Sequence, residues 1–299
     1  MSNAYIPGLT PQSLASSMAY QLDTTQTQLS NLTAQLSAGV NVTKPSDNPQ
    51  LLVQILGIQS QITRYNQYQS NASDGLGLAS LANSSMSDAV SLLQQARVTI
   101  LQAGSPGITS QSVSGLVSSL QSDFNALVGI ANTTYQGVGI FGGTSGVGQT
   151  YSVGAGNTVT YNGNSTDPTR TVAPGYAVQA SVTDPFSQMF GALKQVISDL
   201  GQNPPNVSAA VGTDLGNFDS AFATATNAAG TVGAYFQQLT VSQQQATLSV
   251  QNLTTEFGNF QNLNMAQATT QFQQLQSNYQ IALFVTSKSV QPSLAQYLP

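Results

Sequence analysis

Apolar positions recur along this chain every seventh residue over long distances. Stepping by seven from Ile58 gives Tyr65, Ala72, Ala79, Met86, Leu93 and Ile100. A companion row begins at Ile55 and Ile62 and further along becomes Ala82, Ala89, Ala96 and Ala103. A narrow apolar seam of this period predicts a long helix suited to coiled-coil-like packing. Asn48 can cap it, Pro49 fits its first turn, and Gly104-Ser105-Pro106-Gly107 stops it. Val113, Leu120 and Leu127, beside Val117, Phe124 and Ala131, predict a second helix. The connection between the two is short enough to make them antiparallel.

The downstream half repeats the pattern. From Val211, steps of seven reach Phe218, Ala225, Val232, Leu239, Ala246, Leu253 and Phe260. Leu215, Phe222, Ala229, Phe236, Gln243, Val250 and Phe257 form its partner row. About 50 helical residues would extend roughly 75 Å, so this helix needs the upstream helices beside it. The register then slips: Gln267 and Gln274 fall on the row, and apolar positions resume one residue later as Ala268, Leu275 and Ala282 beside Phe272 and Tyr279. Residues 261–265 therefore read as a joint. Leu22, Leu29 and Leu36, with Met18 and Leu32, give the N-terminal segment a seam of its own, ended by Gly39.

The middle is different. Residues 137–184 are rich in Gly, Thr, Val and Tyr. The segments 158–161 and 177–182 alternate as half-buried strands do, and Asp184-Pro185 opens a further helix through Phe186, Phe190, Leu193, Ile197 and Leu200. The expected fold is mainly α: a long antiparallel coiled-coil-like bundle formed by both chain ends, with a small β-rich insertion. Three layers follow, 1–48 with 262–299, 49–140 with 184–261, and 141–183. The terminal seams pair with each other, and no third helix in the sequence covers them. They read as surfaces that meet other copies of the chain, through Leu22, Leu29, Leu32 and Leu36 at one end and Phe272, Leu275, Tyr279, Leu283, Leu294, Tyr297 and Leu298 at the other.

Composition narrows the chemistry. Of 299 residues only 6 are Lys or Arg and 11 Asp or Glu, and there is no His, Cys or Trp. Without His or Cys no Ser-His-Asp triad, thiol nucleophile or Cys/His zinc site can form. Six scattered cations cannot supply the footprint of a nucleic-acid binder. No apolar run approaches the roughly 18 to 20 residues of a membrane helix, and Met1–Gln12 has neither the charged nor the apolar region of a secretory signal. With so few titrating groups, stability should vary little between neutral pH and about pH 3, which suits an acidic external medium.

Individual motifs carry little chemistry. Gly137, Gly139 and Gly142 spell G-x-G-x-x-G, but they follow a helix and run into turn residues, so they read as turns and not as a dinucleotide site. The sequons at Asn31, Asn41, Asn71, Asn132 and Asn252 are expected by chance in so amide-rich a chain. Asp214 and Asp219 are five apart and share no helix face well, and Glu256 stands alone, so a solvated face is expected for them. No cofactor is implied. Tyr151, Tyr161 and Tyr176 would serve if the insertion were the reading head of an adhesin.

Several segments, in order and spacing, resemble the flagellin superfamily. The stretch 28–49 is similar to its N-terminal signature, and Pro45-Ser46-Asp47-Asn48-Pro49 resembles the P-S-D-D-P of its hook–filament junction branch, the family of hook-associated protein three. The segments 71–79, 137–144, 159–164, 232–239 and 293–298 are similar to further family stretches. Two departures stand out: the family's acidic D-x-D-M-A-E joint is Asn262-Leu263-Asn264-Met265-Ala266-Gln267 here, and the Arg of V-G-A-R is Tyr235. The resemblance implies a non-enzymatic subunit, exported unfolded through the flagellar type III channel without a cleaved signal and found in the extracellular flagellum. It implies a ring or helical homo-oligomer, with hook-associated protein one and flagellin as neighbours and an export chaperone. It also implies a D0, D1 and D2 layering that matches the three layers above. The filament subunit itself is the other role within the superfamily.

Overall fold

The structure, a computed structural model of the chain, describes residues 11–295. They fall into two compact units, one of 11–62 with 251–295 and one of 63–250. The sequence boundaries at 48 and 262 coincide with loops between helices, whereas the compact units divide within two long helices.

In the first unit, α1 (Pro11–Ala38) packs along α7 (Met265–Ala295). Gly39 ends α1 at a φ of 70°, a left-handed conformation that glycine adopts without a Cβ penalty. The helix α2 (Pro49–Ala103) starts and stops where the sequence indicates: Asn48 Oδ1 accepts from the Leu51 amide at 3.0 Å, and Gly104 follows the last turn. Ile55 and Ile58 are buried in its first turns.

In the second unit α2 continues, α3 (Ser110–Ala131) returns beside it, and α6 (Leu215–Gln261) completes the bundle. The pairs Gln69–Thr247, Gly75–Leu239 and Arg97–Asp219 run in opposite order along α2 and α6, so these helices are antiparallel. The predicted seams are the core. Ala72, Ala79, Met86, Leu93 and Ile100 are buried, as are Ala82, Ala89, Ala96 and Ala103 in the companion row. Val113, Leu120, Phe124, Leu127 and Ala131 of α3 and Phe218, Ala225, Val232 and Leu239 of α6 meet them. Each large side chain removed from water contributes on the order of 1.5–3 kcal/mol. The small row lets the backbones approach: a Cβ on Gly75 would stand 2.9 Å from Leu239 Cδ2.

The insertion consists of three antiparallel strand pairs: β1 (Thr134–Tyr135) with β2 (Val138–Gly139), β3 (Tyr151–Val153) with β4 (Val159–Tyr161), and β5 (Thr169–Ala173) with β6 (Tyr176–Gln179). The glycines of the G-x-G-x-x-G run lie in β2 and the turns around it. The strand expected over 177–182 is shorter than predicted. Its ladder ends with the Ala180 amide donating to Pro168 O at 2.9 Å, because Pro168 has no N–H to return. The insertion is anchored by Asn132, which pairs with Tyr151 as a strand would, accepting from its N–H at 2.7 Å and donating to its C=O at 2.8 Å. Tyr151, fully buried, packs edge-on against Phe186 and Phe190, the latter on α4 (Ser187–Leu200), and Phe190 meets Phe124 of α3.

Two expectations from the sequence need correcting. The row from Val211 does not begin α6 directly. The short helix α5 (Val207–Ala209) and a π turn over Ala210–Asp214 precede it, and the π turn inserts one residue into the period. The buried positions there are Ala210 and Asp214, ahead of Phe218. The solvated-face reading fails for Asp214, which lies four residues before buried Phe218 and seven before buried Ala221 on the same inner face, and Asp123 and Asp199 are buried too. Asp219 is half-exposed and accepts a forked pair of bonds from Arg97 at 2.7 and 2.9 Å, which holds its carboxyl below the usual carboxylate range.

Exposed helix faces carry hydroxyls and amides in place of charges. Thr24, Thr25, Thr33, Thr224, Thr226, Thr231, Thr255, Thr269 and Thr270 each donate to the carbonyl four residues back. Such bonds satisfy the hydroxyl locally, leaving its lone pairs to water.

Candidate assembly interface

The motif 45–49 works locally. Asp47 Oδ2 accepts from the Thr43 hydroxyl at 2.8 Å and from the amides of Lys44 and Thr43 at 2.8 and 3.3 Å. These bonds, led by the Thr43 hydroxyl, lower the Asp47 carboxyl's pKa. The Asp47 amide in turn donates to Lys44 O, closing the turn. Asn48 caps α2, and Pro49 occupies its first position, where a missing N–H costs nothing. The motif thus makes an exposed turn and the start of a long helix.

The joint is built from amides. The Asn41 side chain donates to Phe260 O at 2.8 Å and to Asn262 O at 3.1 Å, occupying carbonyls at the end of α6. Its backbone N–H reaches Gln261 O, Leu263 N–H reaches Gly39 O, and Val40 bridges Asn262. Asn264 then caps α7, accepting from the Gln267 amide at 3.2 Å. At 262 and 264, where the family pattern has acids, the neutral amides Asn262 and Asn264 occupy the joint.

Between α1 and α7, Leu32 (8 % exposed) and Ala268 are buried, and Leu22, Leu29, Leu36, Phe272, Leu275 and Tyr279 are half-buried. These two seams, named from the sequence, face each other within one chain. Leu283, 45 % exposed, lies off them, and Leu294 is in the final turns of α7. Tyr297 and Leu298 lie outside the described residues. Sequence reasoning missed the apolar side chains off the seam: Tyr20 is 77 %, Ile281 59 % and Phe284 65 % exposed, with Val285 one turn on from Ile281. A shallow groove of about 260 Å³ runs there, lined by Met18, Gln21, Asn278, Ile281, Ala282, Val285 and Thr286. The signal was present in the run Ile281-Ala282-Leu283-Phe284-Val285, which is apolar all round the helix and not only along a stripe. Large apolar side chains left exposed along such a groove mark an interaction surface.

Among the described residues no three His, Cys, Asp or Glu side chains gather as a metal site, and no helix is long and apolar enough to cross a membrane.

A likeness to flagellar proteins runs through this architecture. The family described as the bacterial flagellin N-terminal helical region matches residues 11–146. Flagellin A of Helicobacter pylori is 26 % identical over 227 residues, covering 73 % of this chain and 43 % of the relative. Flagellin A of Helicobacter mustelae is 29 % identical over 120 residues, covering 40 % and 24 %. The chain thus spans less than half the length of these curated relatives. Among solved structures, a putative flagellar hook-associated protein from Vibrio parahaemolyticus superposes with a TM-score of 0.64 at 20 % identity, covering 72 % of this chain and 100 % of that one. The hook-associated protein 3 of Legionella pneumophila gives 0.61 at 14 % identity, covering 69 % and 98 %. The resemblance to the flagellin superfamily is borne out, and the fold is shared with these hook-associated proteins.

Proposed function

We propose that the chain is a structural subunit of the bacterial flagellum, the adaptor that joins hook to filament, and that it polymerises through α1 and α7. The observation that carries this reading is the apolar surface left exposed on α1 and α7, Ile281 and Val285 along the groove and Tyr20 and Phe284 on the outer sides of the two helices, in a chain of this fold. A free subunit gains nothing from such a face. A ring of subunits buries it, each side chain contributing on the order of 1.5–3 kcal/mol. The role is structural and extracellular. The segments 1–48 with 262–299 form the inner D0 layer, 49–140 with 184–261 form D1, and 141–183 face outward as D2. Leu22, Leu29, Leu32, Leu36, Phe272, Leu275 and Tyr279 hold the inner pair together, and Leu283 adds to the surface offered to neighbouring copies. Hook-associated protein one adjoins the ring on one side and flagellin on the other. The chain reaches this place by type III export, with a chaperone guarding its apolar ends.

The curated flagellin relatives favour a second reading, the filament subunit itself. Electron microscopy of the concentrated, seeded chain separates the two. Monomers and short rings are expected, and long filaments of the pure chain would replace the junction reading with the filament one. A double variant, Ile281→Asp with Phe284→Asp, should keep its helical circular dichroism and lose assembly. Unchanged assembly in that variant would remove this face from the interface.

A further inference from the structure

At one corner of the second unit three elements meet: the end of α2, the end of α4 and the π turn that leads into α6. Val211 of the π turn fills the space beside Gly104, where a Cβ would stand 3.0 Å from its Cγ1. Asp199 from the last turn of α4 and Asp214 from the end of the π turn are both buried where α4 packs against the π turn, within reach of a hydrogen bond to each other. Two carboxylates can share one only if a proton lies between them. The oxygens of Asp199 are already engaged by amide donors: Oδ1 accepts from Gln202 Nε2 at 2.7 Å and Oδ2 from Gln195 Nε2 at 3.2 Å. Its backbone carbonyl accepts from the Asn206 amide at 2.9 Å, folding the α4–α5 connection over the same spot. Asp214 Oδ2, by contrast, is buried with no hydrogen-bond partner. Asp199 is therefore furnished as an acceptor and Asp214 as the group that carries the proton.

We propose that Asp199 and Asp214 form an acid-closed clasp, which fixes the end of α4 to the π turn when protonated and loosens that corner as the surroundings become neutral. The amide donors around Asp199 argue for a proton and against a metal cation, because N–H groups turned toward the carboxylate would repel a cation. No counter-charge takes the proton's place. The other side chains at the corner, Gln195, Gln202 and Asn206, are neutral. Arg97 on α2 is occupied by Asp219. Lys194 on α4 donates to the Thr158 hydroxyl at 2.9 Å, and α3 contributes only another buried acid, Asp123.

Burial, the hydrogen bond with Asp199 and the negative charge of Asp199 push the Asp214 carboxyl up to about 6. A carboxyl raised in the folded state stabilises the fold fully below its unfolded value and loses that contribution as the pH rises through the folded value. The clasp is therefore shut below about pH 4 and opens across pH 5 to 7. Asp47 and Asp219, both lowered, act in the opposite sense, and their contribution fades only as the pH falls below the ordinary aspartate range.

The test is urea unfolding of the full-length chain at pH 4.5 and 7.5, with amide hydrogen exchange over 207–215 as the local readout. A shift of this size predicts a folding equilibrium constant falling on the order of twenty-five-fold between these values. Exchange should accelerate over 207–215 ahead of the α2 seam. Asp214→Asn keeps an N–H donor toward Asp199 and cannot ionise, so its drop should be at least several-fold smaller. Equal wild-type stability at the two pH values would overturn the proposal, as would the full wild-type drop in the Asp214→Asn chain. Should that variant not fold, a carboxyl carbon-13 titration of the wild type decides: a midpoint near 6 for Asp214 supports the clasp, and one below about 4.5 overturns it.

Discussion

Asn41 performs with one amide a task that its surroundings could have given to a charged pair. Its side chain donates to two carbonyls of the joint, and its own N–H reaches a third. Such bonds are worth roughly 0.5–1.5 kcal/mol each net of water. Asn41→Ala should therefore lower the stability of this unit by about 1–2 kcal/mol, seen as faster hydrogen exchange at Leu263. Asn41→Asp should do no better, because a carboxylate cannot donate to a carbonyl. A rescue by aspartate would mean that charge, not donation, holds the joint. Single residues also explain where sequence reasoning stopped. Asn48 and Pro49 announce a helix start by their type alone, whereas nothing about Asp214 marks it as interior. It stands one heptad before buried Ala221, on a row that a count from Val211 and Leu215 passes by.

Among the elements, α2 shows how much a period can specify. One of its rows carries Met86, Leu93 and Ile100 and the other Ala82, Ala89, Ala96 and Ala103, all buried. Large side chains fill the space between helices, and small ones let α3 and α6 approach closely. Enlarging the small row should therefore be as damaging as emptying the large one. Ala89→Leu is expected to cost about 1–3 kcal/mol by overpacking, measured as a lower urea midpoint at unchanged slope, and a neutral result would show the bundle able to part there. Helix length, both ends of α2, the break at 262–264 and the pairing of α1 with α7 were all legible, because each rests on local chemistry or on a long-range period. The exposed face of α7 was not, since the heptad identified the seam residues and hid the apolar neighbours on either side. The short strands were partly legible: the alternation of 159–161 was enough, but the early end of β6 depended on which residue of β5 it would meet.

For the whole molecule the decisive feature is what its surface lacks. With 6 basic and 11 acidic residues among 299, long-range attraction and repulsion between copies are weak. Polarity is carried instead by amides and by threonine hydroxyls bonded to their own helices. These groups have no counter-ion atmosphere to exchange. Contacts made by such surfaces should form with nearly the same affinity in dilute buffer and in brine, because a Debye length of about 30 Å or 3 Å screens nothing that matters to them. The critical concentration for assembly is therefore expected to stay within about twofold from 10 mM to 1 M sodium chloride at fixed pH, as followed by light scattering. A steep dependence on ionic strength would mean that the few ions present, such as Lys44 or Glu256, sit at the contacts. An assembly indifferent to salt yet carrying a proton-sensitive corner would answer to one feature of its surroundings and ignore the other.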